Sequence, residues 1–345
     1  MKKMLHKLRR KPKEEVPTRI TNDTVAQHRE RILAGGRRFK YPVQYAKYRL
    51  VFNTLAITFV TLLLMVAIGW WQIYPMQNTS EFVYKVTKLL PLPVASVDGQ
   101  PAEYQDYLVQ YRLSEFYLGK YDEVSLNSDD GQRQLAHVKR QSLDQAERVA
   151  YAQKLAKSYD VKITDAEIND FIDQERNTVN GRVSQETYDA SISMIYGVSP
   201  TDYRHFTSNA MLVNKVAFAV DKDADAQVTR VQALLKLSPN DDFAGIVAKV
   251  GSMKGGKVTI GQSGLVNNSD KVGGLRASEV AKLAVGEVSP PLKSTTDDGY
   301  YFVKVVDKTD AKVNFLYIHI PLTQFTRDFD ALKTSDKIHE YIKVS

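Results

Sequence analysis

Residues 50–80 contain no charged side chain, and this segment constrains the possible folds of the chain more than any other. Its apolar core, Leu50 to Tyr74, has five polar interruptions. A helix of this length extends about 37 Å and crosses a hydrocarbon core of about 30 Å with some tilt. Trp70 and Trp71 favour the headgroup region at its outer end, and Pro75 ends the helix. We therefore predict a transmembrane helix at 50–74.

The residues before this segment are strongly basic. Residues 1–49 hold 15 Lys and Arg against four acidic residues, a net charge of +11, whereas the whole chain carries +7, so the part from residue 50 onward is net −4. Lys and Arg beside a span favour the cytoplasmic side, which predicts a single-pass cell-membrane protein with a cytoplasmic N-terminus and extracytoplasmic C-terminal domains. A cleaved signal peptide is the alternative, but such peptides have a shorter apolar core followed by a small-residue cleavage site, and none follows here.

The basic tail also predicts a partner. Basic and aromatic residues alternate between Arg37 and Arg49, and anionic headgroups attract each Lys or Arg near a membrane surface with about 1 kcal/mol. We expect contact with anionic membrane lipids and no contact with nucleic acid. The dense charge, with Pro12 and Pro17, predicts that residues 1–30 are largely disordered.

Several function classes are excluded by composition and motif. The chain has no cysteine, which excludes disulfides, thiol catalysis and thiolate metal sites. Its six histidines show neither H-x-x-x-H nor H-E-x-x-H spacing, and G-x-x-x-x-G-K-[ST] and G-x-S-x-G are absent. We therefore predict no metal and no cofactor. About 270 residues outside the membrane suffice for two domains.

Residues 94–220, after a predicted stalk at 75–93, show helical periodicity. A turn at Asp98-Gly99 leads into a helix with Tyr104, Tyr107, Leu108 and Tyr111 on one face, and a second helix is predicted at 131–159. Thr164 and Glu167 form a capping box at the start of the next predicted helix. A further helical pattern is predicted through residues Tyr188, Ile192, Met194, Ile195 and Tyr196. Gly197 is expected to stop that helix, and Ser199-Pro200 to start the one after it.

The order of these motifs resembles a known family. V-D-G-Q-P at 97–101, KSYDVKITDAEINDFIDQE at 157–175 and YGVSPTDYRHFTSNAMLVNKVAFAV at 196–220 are similar to the N-terminal chaperone domain of SurA-type and PrsA/PpiD-type extracytoplasmic foldases. The resemblance implies a bacterial protein that binds unfolded or newly secreted polypeptides.

Residues 221–313 resemble a parvulin-type prolyl isomerase domain. The resemblance rests on G-E-V-S-P-P at 286–291 and on the strand pattern G-Y-Y-F-V-K-V at 299–305. Such a domain lowers the barrier of about 18 to 20 kcal/mol to rotation about the bond before proline. Its apolar proline pocket implies Phe243, Leu275, Leu283 and Tyr300 as substrate-binding candidates.

The catalytic positions depart from the parvulin pattern. Tyr301 replaces the strand histidine, Lys254 stands where the family has an acid or thiol, and no strand with a histidine precedes Val228. A similar strand, Phe315 to Pro321, comes late and carries His319; it either completes the sheet or begins a truncated module. Tyr301 and His319 are the catalytic candidates if the domain is active, so isomerase activity stays uncertain.

Together these patterns predict a fold class and a function. The chain is expected to be a single-pass membrane protein with an α-helical chaperone-like domain at 94–220, an α+β parvulin-like domain at 221–313, and a C-terminal strand and helix at 314–345. The predicted function is a membrane-anchored folding factor for exported polypeptides, possessing prolyl isomerase activity only if the altered site works. The alternative is a non-catalytic bitopic scaffold of a cell-envelope complex for division or secretion.

Overall fold

The computed structural model describes residues 20–40, 42–178, 181–238, 241–296 and 298–344, without the side chains of residues 36–47. The chain divides into two compact units, 1–71 and 72–345. The helices are α1 Asn22–Lys40, α2 Pro42–Ile73, α3 Glu81–Leu89, α4 Tyr104–Lys120, α5 Asp129–Ser158, α6 Asp165–Glu175, α7 Gln185–Tyr196, α8 Pro200–Val220, α9 Lys222–Leu237, α10 Phe243–Val250, α11 Ala277–Val280 and α12 Gln324–Thr334. The strands are β1 Pro93–Val97, β2 Gln100–Glu103, β3 Asn177–Thr178, β4 Gly181–Arg182, β5 Thr259–Gln262, β6 Val266–Asn267, β7 Lys271–Val272, β8 Leu275–Arg276, β9 Leu292–Lys293, β10 Gly299–Lys308, β11 Lys312–Pro321 and β12 Ile338–Glu340.

The first unit contains all but the last two residues of the apolar helix predicted from the sequence. Tyr48–Ile73, 26 residues with a mean hydropathy of 2.3, is long and apolar enough to cross a membrane. Residues 22–30 are helical, not disordered as we expected, because Thr21 and Thr24 bond to each other and start α1. Residues 1–19 and the basic and aromatic side chains of residues 37–47 lie outside the described residues.

The helical part of the second unit begins with helix α3, in the segment predicted as a stalk. Ser80 caps α3, and Val83, Tyr84 and Thr87 are buried, which is why the segment does not stand free. The β1–β2 hairpin then turns at Asp98-Gly99, both with positive φ, as an Asp-Gly turn favours.

Helices α4, α5 and α8 enclose the core of this part, which we call the helical domain. The buried aromatic residues of α4 that the sequence placed on one face, Tyr104, Tyr107 and Tyr111, lie inside it. The predicted capping box of Thr164 and Glu167 is confirmed. The stop at Gly197, with a φ of 69°, and the cap by Ser199 before Pro200 are also confirmed.

The second part of this unit is built on an antiparallel sheet in the order β5–β11–β10–β9, with β6 pairing to β11, and we call it the sheet domain. Strand β11, which contains the Phe315–Pro321 segment, pairs with β10 over nearly its whole length. Both faces of β10 are buried: Tyr300 and Phe302 pack on one side, and Tyr301, Val303 and Val305 on the other. Side chains alternate across a strand, so this run divides between two cores.

The C-terminal segment returns to the helical domain. Strand β12 pairs antiparallel with β1, with Ala95 opposite Glu340 and Val97 opposite Ile338. Phe325 and Phe329 of α12 pack on Tyr151 of α5, with ring centroids 5.2 and 5.9 Å away. The segment predicted as one C-terminal unit at 314–345 therefore contributes β11 to the sheet domain and α12 and β12 to the helical domain.

One buried carboxylate joins three helices where the two domains meet. Asp221 follows α8, is fully buried, and caps α9 by accepting a hydrogen bond from the Ala224 amide at 2.9 Å. Its second oxygen accepts from the amides of Thr323 at 2.7 Å and Gln324 at 3.0 Å, at the start of α12. The first amides of a helix lack partners within the helix, so one side chain stabilises both helix starts.

Candidate functional site

The structure brings together the two residues predicted as catalytic. Tyr301 of β10 lies opposite His319 of β11, and their rings stack with centroids 4.6 Å apart. The Tyr301 hydroxyl donates to the Asp298 carboxylate at 2.6 Å, and His319 Nε2 lies 3.0 Å from the Asp298 carbonyl oxygen. Antiparallel pairing of the two strands creates this contact, which sequence spacing does not reveal.

Only two of the four predicted substrate-binding residues share a core with Tyr301 of this pair. Leu275 and Leu283 pack in the same core as Tyr301, whereas Phe243 and Tyr300 pack on the opposite face of the sheet. The Tyr300 hydroxyl donates to Asp225 at 2.8 Å, on helix α9. Neighbouring residues of a strand point to opposite faces, so Tyr300 and Tyr301 cannot line one pocket.

The Tyr301 side chain is enclosed and already engaged. It is 4% exposed, as is Leu275. Burial and the hydrogen bond to Asp298 raise the pKa of Tyr301, so its hydroxyl stays protonated at neutral pH. A side chain at Gly273, where φ is 57°, would also collide with the Tyr301 hydroxyl. In this arrangement Tyr301 is a packed hydrogen-bond donor.

A cleft of about 670 Å³ lies between the helical domain and the sheet domain. Its walls come from α4, α5 and α8, and Thr295 and Thr296 of the sheet domain close one side. The Asn214 side chain donates to the Ser294 carbonyl at 3.5 Å across this boundary. The apolar side chains that line the cleft are Val109, Ala146, Val149, Phe206, Ala210 and Val213.

A polar network lies at the edge of this cleft. The buried Asp106 of α4 accepts hydrogen bonds from two residues of α8, His205 at 2.6 Å and Asn209 at 2.8 Å. The bond to Asp106 raises the pKa of His205 despite its partial burial. This hydrogen bond ties α4 to α8 and favours the protonated form of the imidazole.

A second surface lies where the ends of α4 and α7 meet. We call it the aromatic patch: it consists of the exposed residues Tyr117, Tyr121, Met194, Ile195 and Tyr196, which are 38 to 63% exposed. The Lys120 ammonium donates to the Met194 carbonyl and joins the two helices. Phe116 packs where any side chain at Gly197 would stand. A groove of about 570 Å³ lined by Phe116, Lys120 and Gly197 borders the patch.

Sequence reasoning did not single out this patch as a surface. The helical pattern ran through Tyr188, Ile192, Met194, Ile195 and Tyr196 as one set, but only Tyr188 and Ile192 are buried. Residues three or four apart share a helix face, so Ile195 and Tyr196 continue the face of Ile192, whereas Met194, two residues on, turns away from it. Met194 therefore carried the available signal, since it falls off the buried face.

The described residues offer no group of three or more His, Asp and Glu side chains placed to hold a metal ion. The cleft and the aromatic patch both combine apolar side chains with hydrogen-bonding groups.

Comparison with known proteins shows a family similarity that includes most of the helical domain. Residues 46–217, just under half of the chain, match the family model described as SurA-like N-terminal domain. This match supports a protein of the SurA/PrsA/PpiD type. No curated protein and no solved structure matches the chain. The matched range includes α4 to α7 and nearly all of α8, so it carries the aromatic patch and most of the cleft.

Proposed function

We propose that this chain is a membrane-anchored, extracytoplasmic folding factor that holds unfolded exported polypeptides. The observation that carries the proposal is the SurA-like domain, because it contains the aromatic patch and three walls of the cleft. A SurA-like domain indicates a folding-chaperone role. Membrane anchoring is the finer part of the proposal and rests on the apolar helix Tyr48–Ile73 with the basic tail before it.

The aromatic patch has the chemistry of a surface that holds many sequences. Tyr rings supply large apolar area with a hydroxyl at the tip, and the unbranched Met side chain adapts to varied partners. Clusters of exposed apolar side chains on a folded domain often mark interaction sites. Tyr117 and Met194, at 56 and 63% exposure, offer the most contact area here.

In this function the chain holds unfolded polypeptides, and the Tyr301–His319 pair has a structural role. Tyr301 is buried, its hydroxyl is bonded to Asp298, and the apolar candidates are divided between two faces of the sheet. These features support packing of the sheet domain in preference to contact with a prolyl peptide. The likeness of residues 221–313 to a parvulin domain stays a sequence-based prediction.

Aggregation of unfolded proteins tests the proposal. The full chain, inserted in lipid vesicles, is expected to slow the aggregation of several unrelated chemically denatured proteins. The variant Tyr117→Ser with Met194→Ser is expected to lose most of this effect. The control variant Tyr159→Ser with Leu237→Ser removes comparably exposed side chains, 47 and 77% exposed, outside the patch and is expected to keep it.

Two outcomes would contradict this assignment. Binding of a single defined partner, without any effect on unrelated unfolded proteins, would favour the cell-envelope scaffold. Isomerisation of a proline-containing peptide above the uncatalysed rate, lost in Tyr301→Phe, would show that holding is not the whole function.

A further inference from the structure

Helix α3 packs on the helical domain with one face only. Val83 and Tyr84 are buried, and the Arg112 guanidinium lies over the Tyr84 ring, 5.0 Å from its centroid. Ion pairs hold both ends: Glu81 pairs with Arg112 of α4, and Lys88 pairs with Asp202 of α8 at 2.6 Å. The position of α3 on the domain is therefore fixed.

The opposite face of α3 is apolar and exposed. Phe82 is 75% and Leu89 82% exposed, and their spacing of seven residues places them on one side of the helix. Lys85 lies between them on that side, 70% exposed and 3.6 Å from the Glu81 carboxylate. Met76 and Leu90, before and after the helix, are 59 and 52% exposed. A short helix with two apolar faces, of which one packs, needs a partner for the other.

The connection that precedes α3 keeps it close to the end of the apolar helix. The Asn78 amide donates to the Gln72 carbonyl at 3.0 Å, and its side chain donates to the Gln72 side chain at 2.8 Å. The Ser80 amide in turn bonds the Asn78 side chain at 2.8 Å. Ser80 caps α3, so the helix begins at most about 11 Å along the chain from Asn78, which contacts Gln72.

We propose that the exposed face of α3 lies in the outer surface of the same membrane, with Phe82 and Leu89 inserted at the boundary of headgroups and acyl chains. An interfacial helix buries its apolar face to this depth, and Lys85 reaches the lipid phosphates from within it. This inference rests on the proposed membrane span. Because α3 is ion-paired to α4 and α8, lipid contact at α3 also fixes the helical domain at the bilayer surface.

A depth measurement in vesicles tests the proposal, and the absence of cysteine in the chain makes site-specific labelling simple. Phe82→Cys and Leu89→Cys, each with a nitroxide label, are prepared in the full chain in phosphatidylcholine vesicles with and without phosphatidylglycerol. Leu237→Cys, at an equally exposed apolar position, is the control. Collisions of the nitroxide with oxygen show that the label lies in lipid, and collisions with a water-soluble nickel chelate show that it lies in water.

The labels at 82 and 89 are expected to be about fivefold less accessible to nickel than the label at 237, and more accessible to oxygen. Nickel accessibility equal to that at 237 would overturn the proposal. Protection that disappears when the protein is diluted in lipid would assign the face to a second copy and also overturn it.

The same sample separates this inference from the proposed function. A chain that does not float with the vesicles refutes the span and, with it, lipid contact at α3. A chain whose labels lie in lipid but that leaves aggregation unchanged supports the lipid contact and refutes the chaperone function.

Discussion

Glu147 is a buried acid of the helical domain. Its side chain is 0% exposed, both carboxylate oxygens lack a hydrogen-bond partner among the described residues, and Arg140 is 4.0 Å away. Burial, and after it the charge of Glu340, raise its pKa to about 7 against the opposing effect of Arg140 and Lys333. Asp144, which pairs with Arg140 and Lys333, also acts on the Glu147 carboxylate.

The raised pKa of Glu147 predicts a pH-dependent stability. The folded state disfavours the charged carboxylate, so this cost is absent below pH 4.5, grows between pH 4.5 and 7, and is constant above. Relative to the wild type, the unfolding free energy of Glu147→Gln should therefore rise by about 2 to 3 kcal/mol from pH 4.5 to pH 8. Urea unfolding at both pH values measures this difference, and a pH-independent difference would refute it.

The raised pKa of His205 predicts a stabilising contribution that is present at low pH and is lost as the pH rises. Its pKa is raised above 6.5 by the hydrogen bond to Asp106, so the pair stabilises the fold fully below pH 6.5 and loses this effect as pH rises through the folded-state pKa. The stability advantage of the wild type over His205→Asn should therefore shrink from pH 6 to pH 9. A wild-type advantage that stays constant would contradict the role of the pair.

At the scale of elements, Asp221 is expected to matter more than an ordinary helix cap. Asp221→Ala leaves three amides without their acceptor, two of them at the start of α12. We expect a loss of about 3 kcal/mol in unfolding free energy. Asp242→Ala, which removes the single cap bond of α10 at an exposed site, should cost about 1 kcal/mol. Equal losses in thermal or urea unfolding would show that the bonds to Thr323 and Gln324 contribute nothing.

The sequence predicted elements whose signals are local. The helices around Thr164, Gly197 and Ser199 follow from caps and stops that lie within four residues of each helix end. The pairing of β12 with β1 joins residues more than 240 positions apart, and no local pattern encodes it. The short strand Ile338–Glu340 gains its order from the partner strand.

In the candidate site, too, the sequence predicts local features but not long-range packing. Tyr301 and His319 could be named from motif comparison, and strand pairing brings them together. Their burial, and the division of Tyr300 from Tyr301, depend on which layers cover each face of the sheet. The aromatic patch was missed because Ile195 and Tyr196 continue the helical spacing of the buried Tyr188 and Ile192, so spacing alone does not show that they are exposed.

For the whole molecule, the sequence gives the correct order of parts: a helical region with one apolar helix, then a region that contains a sheet. It does not show that the C-terminal residues 322–344 return from the sheet domain to the helical domain. Helix α12 and β12 complete the core of the helical domain, so residues 322–344 connect the sheet domain back to the surface that carries the cleft. We expect the second unit, 72–345, to unfold cooperatively for this reason.

Cross-linking of an unfolded polypeptide to the aromatic patch tests the central claim most directly. A photoreactive benzoylphenylalanine replaces Tyr117 in the full chain, and the same substitution at Tyr159, which is 47% exposed, is the control. Several unrelated proteins are added after dilution from urea and again in their folded state. The account predicts cross-links to the unfolded proteins at position 117, few at 159, and few to the folded proteins. Equal yields at the two positions, or none with any unfolded protein, would contradict it.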